Sequence, residues 1–122
     1  MALWHITTHA LWDAAKVAGH YVPASLASEG FIHLSTDRQW LTTAERFFHG
    51  QRGLVLLGIR EDKLQAPLKY EAADGDSFPH LYGTLNLDAV IEVLDLPCES
   101  DGTFQVPASL RPWSAYFTPG QK

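Results

Sequence analysis

The run Leu54-Val55-Leu56-Leu57-Gly58-Ile59 constrains this chain more than any other feature. It is apolar without a break and of strand rather than helix length. It therefore reads as a central strand covered on both faces. The rest of the chain must supply two covering layers. Leu3-Trp4-His5-Ile6-Thr7 alternates weakly and reads as a first strand. Thr7 or Thr8 can cap a helix from about His9 to Ala18, with Gly19 as its stop and Leu11, Ala14, Ala15 and Ala18 on one face. Pro23 then takes Val22 out of helical geometry. Phe31-Ile32-His33-Leu34-Ser35 is expected as a second strand. Ile32 and Leu34 should point one way, and Phe31, His33 and Ser35 the other. Thr36-Asp37-Arg38-Gln39 has the form of a capping box. It predicts a helix to about His49 with an apolar stripe of Trp40, Ala44, Phe47 and Phe48.

Beyond the central run, Glu61-Asp62-Lys63 turns the chain toward a strand at Leu68-Lys69-Tyr70-Glu71. Asp74-Gly75-Asp76-Ser77 is expected as a loop closed by Pro79, with strands from Leu81 to Leu87 and from Val90 to Leu94. From Pro97 onward, four prolines and two glycines mark an irregular segment. The order is βα, βα, then mostly β. That is an α+β pattern, without the regular alternation of a doubly wound sheet. With 122 residues the chain buries roughly two thirds of its unfolded surface, enough for one core. The expectation is a single domain over residues 1–122, with its core at about 3–95 and an irregular stretch at 96–122.

Nine Lys+Arg against fourteen Asp+Glu leave a net charge of −5, which disfavours nucleic acid and anionic membranes as partners. The one cysteine, Cys98, cannot form an internal disulfide, which suits a reducing compartment. Met1-Ala2-Leu3-Trp4-His5 lacks both a basic and an apolar leader region, and no apolar run approaches membrane-spanning length. A cytoplasmic protein is expected.

Six histidines invite a chemical reading. His5, His33 and His80 sit in or beside expected strands, and Glu71 ends another. His9, His20 and His49 fall at helix ends or in loops. Three imidazoles and a carboxylate would suit a first-row divalent metal. The sequence has no His-x-x-x-His, no His-x-His and no cysteine pair, so no metal ligand is assigned. Asp74-Gly75-Asp76 lacks the later ligands of a calcium loop and reads as a turn. There is no G-x-S-x-G elbow, no G-x-G-x-x-G and no Walker sequence, which disfavours serine-elbow, Rossmann and P-loop chemistry. Trp4, Trp12, Trp40 and Trp113 have apolar neighbours and read as core or edge packing.

Four phrases taken together carry a resemblance: Leu3-Trp4-His5-Ile6-Thr7, Gly30-Phe31-Ile32-His33-Leu34-Ser35, Tyr70-Glu71, and Phe78-Pro79-His80-Leu81-Tyr82-Gly83. Across about residues 3 to 95 the chain resembles the small bacterial family known as domain of unknown function 952. That family is grouped by fold with the ADP-ribosyltransferases, nearest the tRNA 2'-phosphotransferase branch. The resemblance implies a split, mixed β-sheet with two main helices and a cleft that holds NAD, as substrate or ligand. It implies that His5 binds the adenosine-side ribose and that His33 and Ser35 shape the nicotinamide-ribose pocket. It also places His80 in the third, catalytic motif. Tyr82 is positioned to stack on a ring. His80 stands where transferases of the His-Tyr-Glu type carry a glutamate, and Glu71 on a neighbouring strand is its substitute. Arg38 and Arg60 are the nearest arginines for a phosphate. The implied activity is transfer or hydrolysis of a ribosyl group, with His33, His80 and Glu71 catalytic and His5, His33, Ser35 and Tyr82 binding. Two other readings stand beside it. One is a non-catalytic module for a nucleotide-like ligand or an interaction. The other is a metalloprotein using the same histidines and Glu71.

Overall fold

A computed structural model describes residues 2–110. Trp113 and the rest of the expected irregular stretch, 111–122, lie outside the described residues. The apolar run is the middle strand of its sheet: β4 (Leu54–Arg60) lies between β1 (Ala2–Thr8) and β8 (Val90–Leu96), antiparallel to both. Both faces are covered. Val55, Leu57 and Ile59 join one apolar cluster with Leu3, Trp12, Tyr21 and Leu81, while Leu54 and Leu56 join another with Trp4, Trp40, Ala44 and Leu96. These five β4 side chains are each at most 1% exposed, and fully burying each stabilises the fold by about 1.5–3 kcal/mol. Gly58 interrupts the series because the Trp4 ring takes the space. A Cβ there would lie 2.9 Å from the indole.

Of the two helices that cover this sheet, the first starts as expected, whereas the second starts only at Trp40 and not directly after Ser35; both present faces other than those expected. Thr8 caps α1 (His9–Ala18), its hydroxyl accepting the Leu11 N–H at 3.0 Å. Trp12 and Ala15 are the buried residues of α1, whereas Leu11 of the expected stripe is half exposed. The Trp12 indole offers the larger apolar area, and the helix rotates to bury it. Ahead of α3 (Trp40–Phe47), the Gln39 side chain accepts the Thr36 N–H at 3.0 Å, one half of a capping box. Trp40 and Ala44 are buried, but Phe47 is 61% exposed.

A second sheet runs in the order β3 (Ile32–His33), β6 (Asp76–Leu81), β5 (Leu68–Ala73), and β2 (His20–Tyr21) pairs with β7 (Leu85–Asn86). Every pairing among the described residues is antiparallel, so the expected mixed sheet is corrected to three antiparallel ones. Parallel neighbours need long crossovers. β5 and β6 are joined by Asp74-Gly75 alone, at φ of 50° and 80°, the left-handed pair of a tight hairpin turn. The expected four-residue loop thus shrinks to two, and β6 passes straight through Pro79. A proline is tolerated there because β3 is short. The Pro79 carbonyl accepts the Leu34 N–H at 3.0 Å, and only the return bond at the end of that ladder is forgone. The strand expected from Leu81 to Leu87 is broken after Leu81, where Tyr82 N–H turns aside to Pro67 O at 2.7 Å. A short helix, α2 (Ala24–Glu29), precedes β3 and was not expected. Its six residues are too few to show a period.

The segment Phe31–Ser35 changes sheets part-way. Ile32 and His33 pair with β6, and Ser35 then exchanges bonds of 2.7 and 2.8 Å with Trp4 of β1. That crossing makes the sheet split. Beyond β8 the chain still packs: Phe104 is buried in the cluster under α3, and its N–H reaches Glu45 at 3.1 Å. The core therefore extends past residue 95. Among the described residues no helix is long and apolar enough to cross a membrane.

Candidate functional site

Strand alternation assembles the site. The register sets His33 opposite His80, His80 opposite Lys69, and Phe78 opposite Glu71. Phe31, His33, Phe78, His80 and Glu71 therefore share one face of the second sheet, while Ile32, Leu34 and Leu81 enter the core behind it. In front of that face, His5 and Ile6 of β1, Ser35, and Thr43, Phe47 and Phe48 complete a pocket of about 630 Å³. Glu29, from the end of α2, and Asp74, from the hairpin tip, lie on the same lining. A pocket of this size suits a small organic ligand.

His80 is the most constrained side chain in it. The residue is 6% exposed, its ring stacks on Phe31 at 4.1 Å and 18°, and Nδ1 lies 2.8 Å from Glu71 Oε1. A carboxylate only accepts, so Nδ1 carries the proton and donates it. Among the described residues, no hydrogen bond reaches Nε2. The same Glu71 oxygen accepts the Tyr82 hydroxyl at 2.5 Å. That bond, and next the one from His80, hold the Glu71 carboxyl below its ordinary range, so it is ionised at neutral pH. In return the carboxylate pushes the Tyr82 hydroxyl upward. Lys69 sits over the Tyr82 ring at 4.8 Å.

A second imidazole–carboxylate pair lies beside the first. His33 Nε2 is 3.2 Å from both oxygens of Glu29, and its ring meets that of His80 edge-on at 5.4 Å. His33 is exposed, so this pair contributes little to stability. His5 is different. Its Nδ1 donates to the His33 carbonyl at 2.7 Å and its Nε2 faces the Tyr21 hydroxyl at 2.8 Å, which lies 2.9 Å from Thr7 Oγ1. Burial pushes the His5 imidazolium down to about 4, outweighing the bond to the His33 carbonyl. An edge of the ring reaches the pocket, but both nitrogens are taken by protein partners.

The expected site residues thus come together with a division of position. His5, His33, Ser35 and His80 line the pocket; Glu71 and Tyr82 stand behind His80 and hold it. Ser35 is buried, with its hydroxyl 3.3 Å from that of Thr43. Arg60 is bound to Asp62 at 2.6 Å, and Arg38 lies with Thr36, Gln39 and Asp76 at a separate small recess, so neither lines the pocket. Among the described residues, no three His, Cys, Asp or Glu side chains are disposed to hold a metal ion. Sequence reasoning missed Glu29, Asp74 and the aromatic walls of Phe47, Phe48 and Phe78. The parity of Phe78 with His80 was the one local signal for any of them.

The family described as Protein of unknown function (DUF952) matches residues 6–93. The chain belongs to the DUF952 family. The chain is also similar to protein CC0527 of Caulobacter crescentus, solved as a crystal structure, at 38% identity. The match covers 94% of this chain and 99% of that one, at a TM-score of 0.82. A double mutant of the same protein matches at 0.81, and its solution NMR structure, 39% identical over 91% of this chain and 95% of that one, at 0.73. No curated protein matches the chain at a significant level. The family match spans every pocket-lining residue except His5, which lies one position before it.

Proposed function

We propose that the pocket binds NAD or a related ADP-ribosyl compound and breaks the bond between the ribose and its leaving group, by hydrolysis or by transfer. The observation that carries this reading is the Glu71–His80 pair. Glu71 fixes a proton on Nδ1, which leaves Nε2 as the ring nitrogen that can present a lone pair from a buried ring. An imidazole set in this way is a general base. In hydrolysis, the C1'–N bond to nicotinamide breaks and its electron pair neutralises the pyridinium nitrogen. Water forms the new bond to C1', and its proton passes to His80 Nε2. In transfer, an acceptor hydroxyl takes the place of water. Tyr82 acts through Glu71 as a positioning residue. His33 and Ser35 are suited to the ribose hydroxyls, and His5 holds the His33 backbone from below. The ADP-ribosyltransferase-like fold, and its phosphotransferase branch, are part of the same proposal. It is supported by the order in which β1, the Phe31–Ser35 segment and β6 deliver their histidines to one pocket.

One observation favours a non-catalytic ligand module instead: Phe31 covers a face of the His80 ring, which restricts the approach to it. The experiment separates the two. Purified protein is incubated with NAD, nicotinamide release is followed by chromatography, and melting temperature is measured with NAD and ADP-ribose. The proposal expects release, falling by about 10²–10⁴-fold in His80→Asn while the ligand-induced shift persists. A shift without release makes the pocket a binding module. Neither shift nor release refutes both.

A further inference from the structure

We infer that the pocket is built for a compact organic cation free of phosphate, so that any phosphates on a larger ligand stay outside it. This deepens the reading above, but it rests on the walls of the pocket and not on turnover.

Four phenylalanines, Phe31, Phe47, Phe48 and Phe78, line the pocket, and Glu29 and Asp74 flank them. Among the described residues no lysine or arginine does. The Arg46 guanidinium lies outside the lining, 3.7 Å from Asp74 and 5.1 Å from the centre of the Phe47 ring. Both partners of its ion pair are about half exposed, so water screens it. The opening where Phe47 stands 61% exposed is therefore walled by aromatic faces and carboxylates. The His80 side chain is 8% exposed, and its Nε2, which has no partner among the described residues, is an independent sign that a ligand atom belongs here. A donor on such a ligand would satisfy it.

Charge decides what kind of ligand fits. A phosphate here would shed its water against a lining that, among the described residues, offers it no lysine or arginine, and it would face two carboxylates, each step unfavourable. A cation would face the negative surface of aromatic rings and the same carboxylates, each step favourable. Arg46 over Phe47 already shows one aromatic face in contact with a cation.

The test compares 1-methylnicotinamide, a cation, with nicotinamide, its neutral counterpart, alongside tetramethylammonium, inorganic phosphate and ADP-ribose. Binding to the full chain is followed by NMR, using the His80 and Phe31 signals to locate it. The cation should bind about tenfold or more tightly than nicotinamide, the scale of a desolvated cation on an aromatic wall. Asp74→Asn combined with Glu29→Gln should remove most of that preference while leaving nicotinamide binding unchanged. Asn tolerates the left-handed backbone at position 74, so the hairpin should persist. Equal affinity for cation and neutral ring, or no binding of either cation, overturns the inference. Preferential binding of ADP-ribose or phosphate also overturns it, while leaving the ADP-ribosyl reading intact. Cation binding without nicotinamide release from NAD leaves this inference standing and sinks the turnover reading.

Discussion

Acid should destabilise the protein through His5 before it acts on any carboxylate. The imidazole is lowered from 6.5 to about 4 by burial, so the folded state resists a proton that the unfolded chain accepts. Stability from this group is full above the unfolded value. It is lost as pH falls toward the folded value, and it levels off below about 4. Between pH 7 and about pH 5, linkage with these two values amounts to a loss of roughly 2 kcal/mol, a ceiling because a ring edge meets the pocket. The other acid-side shifts act lower. Glu71, Asp62, Asp76 and Asp101 are held below ordinary values of 4.5 or 3.8, so their stabilisation is lost only as pH falls below those. The window above about pH 5 therefore isolates His5 among the shifted groups. The assay is urea unfolding of the wild type and His5→Phe at several pH values. His5→Phe keeps a ring but leaves the His33 carbonyl and Tyr21 hydroxyl short of a partner, costing about 1–3 kcal/mol at pH 7. The gap between the two proteins should narrow by about 2 kcal/mol on going to pH 5. Parallel stability curves would refute the reasoning, because they would mean His5 titrates alike in the folded and unfolded chains.

Two further outcomes follow from local geometry. Gly58→Ala should destabilise by about 1–3 kcal/mol, since the new methyl meets the Trp4 ring at 2.9 Å and Glu92 Cβ at 3.1 Å; thermal unfolding measures it, and an unchanged melting temperature would mean the indole moves freely. Tyr82→Phe removes the main cause of the low Glu71 carboxyl, so its titration by carbon-detected NMR should move up toward 4.5, with the His80–Glu71 bond retained. An unmoved titration would show that Tyr82 does not hold the carboxylate.

Much of this was legible in the residues because the signals are local. The unbroken run at Leu54–Ile59 had to be covered on both faces. Thr8 caps its helix from one residue away, and the alternation of Phe31, His33 and Ser35 against Ile32 and Leu34 sets which side faces the pocket. The four phrases that carried the family resemblance hold His5, His33, Ser35, Glu71, His80 and Tyr82, and these meet at or behind one pocket. Other features were decided only by contacts distant in sequence. Pro79 ordinarily argues against a central strand, and it is tolerated only because β3 ends beside it. Leu11 and Phe47 lost their expected places to larger or better-placed neighbours in the core. Most of all, the roles within the site depend on partners. Glu71 orients His80 nine residues away, Tyr82 holds Glu71 across eleven, and Tyr21 and the His33 carbonyl occupy both nitrogens of His5. Periodicity along a chain tells which way a side chain points. What meets it there depends on register between strands, and only the folded structure sets that register.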